Sequence, residues 1–101
     1  MKKLLSISIL IVTFFVTGAF GQNDPFDAGL KQFQAKDFVA AAISFGKAVQ
    51  QTPQNYQAHF NLGLCYYNLK RYDDAVSSFQ KAISIKPDYV RANYWLGNSY
   101  Y

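Results

Sequence analysis

The chain has one cysteine and one histidine. A lone cysteine excludes an intrachain disulfide framework. One Cys and one His also cannot supply the four ligands of a structural zinc site. Charged residues are scarce, at 16% of 101, while aromatics reach 18% and apolar residues 50%; this balance excludes an intrinsically disordered chain. No Gly-rich phosphate loop is present. Ser77 and Ser78 have no base or orienting acid at a suggestive spacing, so there is no nucleophile. No segment alternates with period two, so no strand is predicted. The length allows one small domain.

The first 21 residues stand apart. Lys2 and Lys3 form a short basic start, an apolar run follows from Leu4 to Val16, and Ala19 and Gly21 are small residues two apart. This is the pattern of a signal peptide, residues 1–21, which predicts an exported protein, periplasmic or secreted. The run is short and interrupted by Ser6, Ser8 and Thr13, which disfavours a membrane span. The alternative is a membrane anchor formed by an uncleaved 4–20 segment. No cysteine follows the run, so lipid attachment there has no acceptor. Removing Lys2 and Lys3 lowers the formal net charge from +4 to +2. The remaining basic residues are scattered among six aspartates rather than clustered. Nucleic acid is therefore not an expected partner, because phosphate binding needs a continuous basic face.

The rest of the chain repeats. Shifted by 34 residues, 22–55 and 56–89 share ten identities without a gap: Phe26/Phe60, Gly29/Gly63, Leu30/Leu64, Lys36/Lys70, Ala41/Ala75, Ser44/Ser78, Phe45/Phe79, Lys47/Lys81, Ala48/Ala82 and Pro53/Pro87. Composition alone gives about two or three. A third copy opens at Val90, and Gly97 continues the glycine column.

Each copy predicts two helices. Asp24 can cap a helix whose first residue is Pro25. A turn near Lys36-Asp37 leads to a second helix. Its apolar residues Phe38, Ala41, Ala42, Phe45, Ala48 and Val49 recur on one helical face, as do Tyr72, Ala75, Val76, Phe79, Ala82 and Ile83 in the second copy. Pro53 and Pro87 end the second helices. Gly29 and Gly63 would let two helices approach closely, with Phe45 and Phe79 filling the space beside the contact. A single pair cannot bury its apolar face, so neighbouring pairs must stack.

The second copy reads Leu62-Gly63-x-x-Tyr66, then Ala75, Phe79, Ala82 and Pro87, and the third opens Leu96-Gly97-x-x-Tyr100. This pattern resembles the tetratricopeptide repeat, a 34-residue helix–turn–helix unit. The resemblance covers 22–101. The first copy departs from it, with Ala28 and Gln32 where Leu and Tyr are expected. Pro25, His59 and Asn93 stand where the family has its leading Trp, and Trp95 is displaced by two residues. Lys36 and Lys70 stand where the family often has Gly, at a small local cost. The resemblance implies an all-α solenoid of about two and a half units: unit 1 at 22–55, unit 2 at 56–89, and the first helix of unit 3 at 90–101.

The columns Asp24/Ala58/Ala92 and Lys31/Cys65/Ser99 change from charged to small after the first copy. In the family these columns face the preceding repeat, so the first helix is expected to be an N-terminal cap. The third copy leaves Trp95, Leu96 and Tyr100 uncovered by a second helix. The expectation is a truncated array; the alternative is that the lone helix is itself a cap.

In the resembled family the first helices line a concave groove that holds partner segments. Two columns there are aromatic, Phe26/Phe60/Tyr94 and Phe33/Tyr67/Tyr101, with Leu30, Leu64 and Asn98 between them. One reading is an apolar groove gripping an extended peptide or a partner helix; the other is internal packing. The polar residues beside it are Gln34, Gln57, Asn61, Asn68 and Arg91; the amide side chains among them could bond a peptide backbone. Some family members hold a C-terminal carboxylate in a Lys/Asn/Asn/Lys/Arg clamp. Here Phe26 and Leu30 replace its first Lys and Asn, while Asn61 and Arg91 remain, so no such chaperone-type binding is expected. Cys65 reads as a small buried hydrophobe, His59 as a surface or packing residue, and Asp73-Asp74 as acids at a helix start.

Together these features predict a non-catalytic scaffold of the cell envelope or secreted space. It would bind protein or peptide and need no cofactor. The alternative is a structural or self-associating repeat segment of a larger envelope protein, including a non-catalytic arm of an enzyme. Self-association would then use the open last helix.

Overall fold

A computed structural model of the chain describes residues 24–100. The expected signal peptide at 1–21 and the candidate groove residue Tyr101 therefore lie outside the described residues. Five helices follow one another: α1 Pro25–Gln34, α2 Phe38–Gln51, α3 Tyr56–Asn68, α4 Tyr72–Ile85 and α5 Val90–Ser99. Every regular element among the described residues is a helix. None of these helices is long and apolar enough to cross a membrane.

Local chemistry sets the boundaries. The Phe26 N–H donates to the Asp24 carboxylate at 2.9 Å, the Ala40 N–H to Asp37 at 3.2 Å, and the Ala58 N–H to the Asn55 amide oxygen at 3.1 Å. Each bond satisfies a donor that the helix itself leaves free. α4 starts at Arg71 without a side-chain cap. Its first turn carries Asp73 and Asp74, which suit the positive end of the helix dipole, and Arg71 pairs with Asp74 at 2.7 Å. α2 and α4 stop at Gln51 and Ile85, two residues before Pro53 and Pro87.

α1 and α3 end in the same six-residue device. The Asp37 N–H reaches back to the Gln32 carbonyl and the Lys36 N–H to Phe33, both at 2.9 Å. Arg71 and Lys70 do the same to Tyr66 and Tyr67, at 2.8 and 3.0 Å. This is a Schellman closure, which needs a left-handed residue at its turn. Lys36 and Lys70 supply it, each with φ of 62°.

Consecutive helices pack in an antiparallel series, α1 on α2, α2 on α3, α3 on α4 and α4 on α5, with α3 also touching α5. One buried cluster joins Phe60, Leu64, Ala75, Phe79, Ala82 and Ala92; a second joins Ala41, Phe45, Leu62 and Cys65. Phe33 and Tyr66 pack against both and tie them together. Each fully buried Phe contributes about 1.5–3 kcal/mol.

The glycines act more directly than spacing alone suggests. A Cβ on Gly29 would fall 2.7 Å from the Phe45 ring, and one on Gly63 2.5 Å from Phe79. The rings lie against the glycines themselves, not beside the contact. The two columns expected to face the preceding repeat also sort by copy: Ala58, Ala92, Cys65 and Ser99 are buried, whereas Asp24 and Lys31 are exposed. In α1, Gln32 stands in the column of Tyr66, and its amide lies 2.6 Å from the Ser44 hydroxyl on α2. With its nitrogen turned inward, the amide also donates to the Ala40 carbonyl at 3.0 Å. A hydrogen bond thus replaces the aromatic contact of the second copy.

Candidate partner-binding groove

α1, α3 and α5 are the first helices of the three copies, and the candidate groove residues recur along them. The structure divides these residues into two groups. Phe60 is 1% exposed and Leu64 8%. Both belong to the core around Phe79, so they offer no surface to a partner, and their assignment as contact residues is corrected here. The cause is local. The Phe60 ring meets Phe79 at 5.8 Å and Tyr89 at 5.1 Å, and the Arg91 guanidinium lies 4.9 Å above it. The internal-packing reading therefore holds at the centre of the strip.

At the flanks the side chains reach the surface. Leu30 is 37% exposed and Tyr94 64%. Phe26, Phe33, Tyr67 and Asn98 are half-buried, and Gln34, Gln57, Asn68 and Arg91 are exposed. Phe26 also lies edge-on to Phe45 at 5.7 Å, so much of its ring is committed to packing. Asn68 donates to the Leu64 carbonyl at 2.8 Å, which leaves its amide oxygen free to accept.

The aromatics here make one separate pair in the first copy and a connected series from Tyr72 through Tyr67 and Trp95 to Tyr94. Phe33 meets Phe38 at 5.3 Å, Tyr67 meets Tyr72 at 5.3 Å and Trp95 at 5.0 Å, and Trp95 meets Tyr94 at 5.7 Å, all edge-on. Such contacts each contribute about 0.5–1.5 kcal/mol beyond area burial. They hold the rings in fixed orientations, so a partner binding them loses little side-chain freedom. Trp95 links α3 to α5 in this series, a role that its column, Asp27/Asn61/Trp95, does not announce.

A separate apolar depression lies between α2 and the end of α3, lined by Val39, Ala42, Ile43, Tyr66 and Leu69, with Arg71 at its rim. Val39 and Ile43 are exposed, as their columns indicate, since the polar and exposed Asp73 and Ser77 occupy the matching positions of the second copy.

No group of three or more His, Cys, Asp or Glu that could hold a metal occurs among the described residues. Cys65 is fully buried, and desolvation pushes its thiol up to about 12. At neutral pH it is a protonated, inert packing group. His59 Nε2 lies 2.9 Å from the Pro53 carbonyl, which joins α3 to the preceding turn.

Residues 56–89 match the family model for the tetratricopeptide repeat. No curated protein sequence matches the chain. Among solved structures, MamA AMB-1 is similar, with 29% identity and a TM-score of 0.69, over 71% of this chain and 39% of that one. An Asp-to-Lys point mutant of MamA gives 26% identity and a TM-score of 0.74, over 84% of this chain and 47% of that one. The chain thus spans less than half the length of either. With a tetratricopeptide repeat at its centre, the chain folds as an all-α solenoid of helix–turn–helix repeats.

Proposed function

We propose that the chain is a non-catalytic, exported scaffold that holds a protein or peptide segment along the shared face of α1, α3 and α5. The observation that carries this reading is the edge-on series Tyr67–Trp95–Tyr94 on α3 and α5, whose columns on α1 hold the surface residues Phe33 and Phe26. The exposed amides of Gln34, Gln57 and Asn68 lie on α1 and α3. Rigid aromatic surface next to amides suits an extended backbone, which needs apolar contact area and hydrogen-bond partners together. The fold supports the same reading, because tetratricopeptide repeats bind proteins or peptides. Export rests on the basic start and the apolar run of the first 21 residues.

Panning a random peptide library against the protein tests the groove. Selected peptides should compete with one another and should weaken at least about tenfold against a Leu30→Glu, Gln57→Glu double variant. Both residues are exposed, so circular dichroism should show unchanged helix content. Peptides that bind this variant as tightly as the parent would remove the groove assignment. The intact mass of the endogenous protein tests export: a mass that begins near Gln22 supports it, and a retained Met1 opposes it.

A further inference from the structure

Val39 and Ile43 stand one turn apart on the outer side of α2, 60% and 58% exposed. β-branched residues lower helix propensity slightly, and at this exposure burial returns little of that loss. The matching positions of α4 hold Asp73 and Ser77, so the stacking of repeats does not require apolar side chains there. The pair is not isolated. With Ala42 on the same helix, and Tyr66 and Leu69 at the end of α3, it lines an apolar depression of about 240 Å³. Small-molecule sites span about 300–1,000 Å³, so this one suits one or two protein side chains better than a cofactor. None of the residues of the peptide groove lines it. At its rim the Arg71 guanidinium lies 5.1 Å above the Tyr66 ring and is held by Asp74 at 2.7 Å. The surroundings are basic. Lys36 lies three residues before Val39, Lys47 four after Ile43, and Lys70 directly after Leu69; all three are exposed. None of them forms an ion pair among the described residues. The acids nearby are mostly committed. Asp37 caps α2 through the Ala40 N–H at 3.2 Å, and Asp74 holds Arg71, which leaves Asp73 against three lysines.

We infer that this depression is a second docking site, for a segment of another protein in which a leucine or phenylalanine is flanked by acidic residues. The apolar side chain fills the recess between α2 and the end of α3, and the acids meet Lys36, Lys47 and Lys70. Charge decides among the occupants. The chain's own segment 1–23 carries Lys2 and Lys3 and no acid, so the basic rim repels it. A lipid surface is bound by apolar side chains that project into it, whereas the apolar atoms here line a recess. An acidic segment with one large apolar side chain matches both the recess and the sign of its rim.

The probe is a fluorescein-labelled pool of short peptides with Leu or Phe at the centre and Asp or Glu on both sides of it. Fluorescence anisotropy should show saturable binding to the protein that weakens with added salt. Ile43→Glu in the protein should weaken it by about tenfold or more, and so should lysines in place of the peptide acids. Ile43 is exposed, so circular dichroism should show the variant's helix content unchanged. The Leu30→Glu, Gln57→Glu variant should bind the pool as the parent does, which keeps the outcome here apart from that of the groove. Absence of saturable binding, or binding indifferent to Ile43→Glu, would overturn the inference. Flotation with phosphatidylglycerol vesicles that Ile43→Glu abolishes would overturn it in favour of a membrane contact. Dimers in sedimentation that the same variant abolishes would overturn it in favour of an interface between copies of the chain.

Discussion

Alanine at Gly63 and alanine at Gly46 should move stability in opposite directions. Both glycines lie inside helices, and each replacement gains about 1 kcal/mol of helix propensity. At Gly46 nothing lies within 4 Å of the new Cβ among the described residues, so the gain stands. At Gly63 the Cβ would sit 2.5 Å from the Phe79 ring, too close for any real contact. That ring is fully buried and held against Phe60, so it cannot swing aside. Overpacking of this kind costs about 1–3 kcal/mol, leaving a net loss of up to about 2 kcal/mol. For a domain of this size each kcal/mol moves Tm by about 4–8 °C. Thermal melts followed by circular dichroism should therefore show Gly63→Ala falling and Gly46→Ala rising by about 4–8 °C. Adding Phe79→Leu to Gly63→Ala should cost less than Phe79→Leu costs in the parent, because the two side chains compete for one space. If both alanine variants rise together, the ring does not occupy the glycine's missing Cβ and the packing argument fails.

Lys36→Gly and Lys70→Gly should each stabilise by about 0.5–1 kcal/mol, because φ of 62° strains a residue with a Cβ; urea midpoints would read this, and unchanged or lowered values would refute it. Asn55→Ala should cost about 1 kcal/mol through loss of the cap on the Ala58 N–H, again by urea titration. The Cys65 thiol, raised to about 12 by burial, should resist alkylation at pH 8 in the folded protein and react on addition of denaturant. Its linkage sign is that of a group raised in the folded state. The contribution is fully present below the unfolded value near 9 and is lost as pH rises towards 12, so stability measured above pH 9 should fall in the parent and fall less in a Cys65→Ala variant.

The fold was legible because the signals that set it repeat at fixed spacing. Asp24 before Pro25, the apolar face from Phe38 to Val49, and the prolines at 53 and 87 each act within one or two turns of the backbone, and the structure places helix boundaries where they point. The 34-residue shift then required neighbouring pairs to stack, since one pair buries too little. The tight Gly–Phe contact was legible in part. The columns identified both partners, but the direct seating of the ring depends on how closely the helices approach, which a one-dimensional pattern does not give.

The groove was less legible, for a related reason. A column in a repeat sequence averages over environments that differ between copies. Phe26, Phe60 and Tyr94 share a column, yet Phe60 is buried beneath Tyr89 and Arg91 while Tyr94 is open. What separates them is the helix that follows: α3 is flanked on both sides, whereas no following helix covers α5 among the described residues. Exposure in a solenoid is therefore a property of a residue's column and of its place in the stack together. Trp95 shows the converse. Its column partners Asp27 and Asn61 are polar, so periodicity gives it no role, yet its contacts with Tyr67 and Tyr94 join the surfaces of α3 and α5. A binding surface assembled from such departures is marked by where one copy breaks the pattern, whereas the shared positions mark the core that keeps the copies in register.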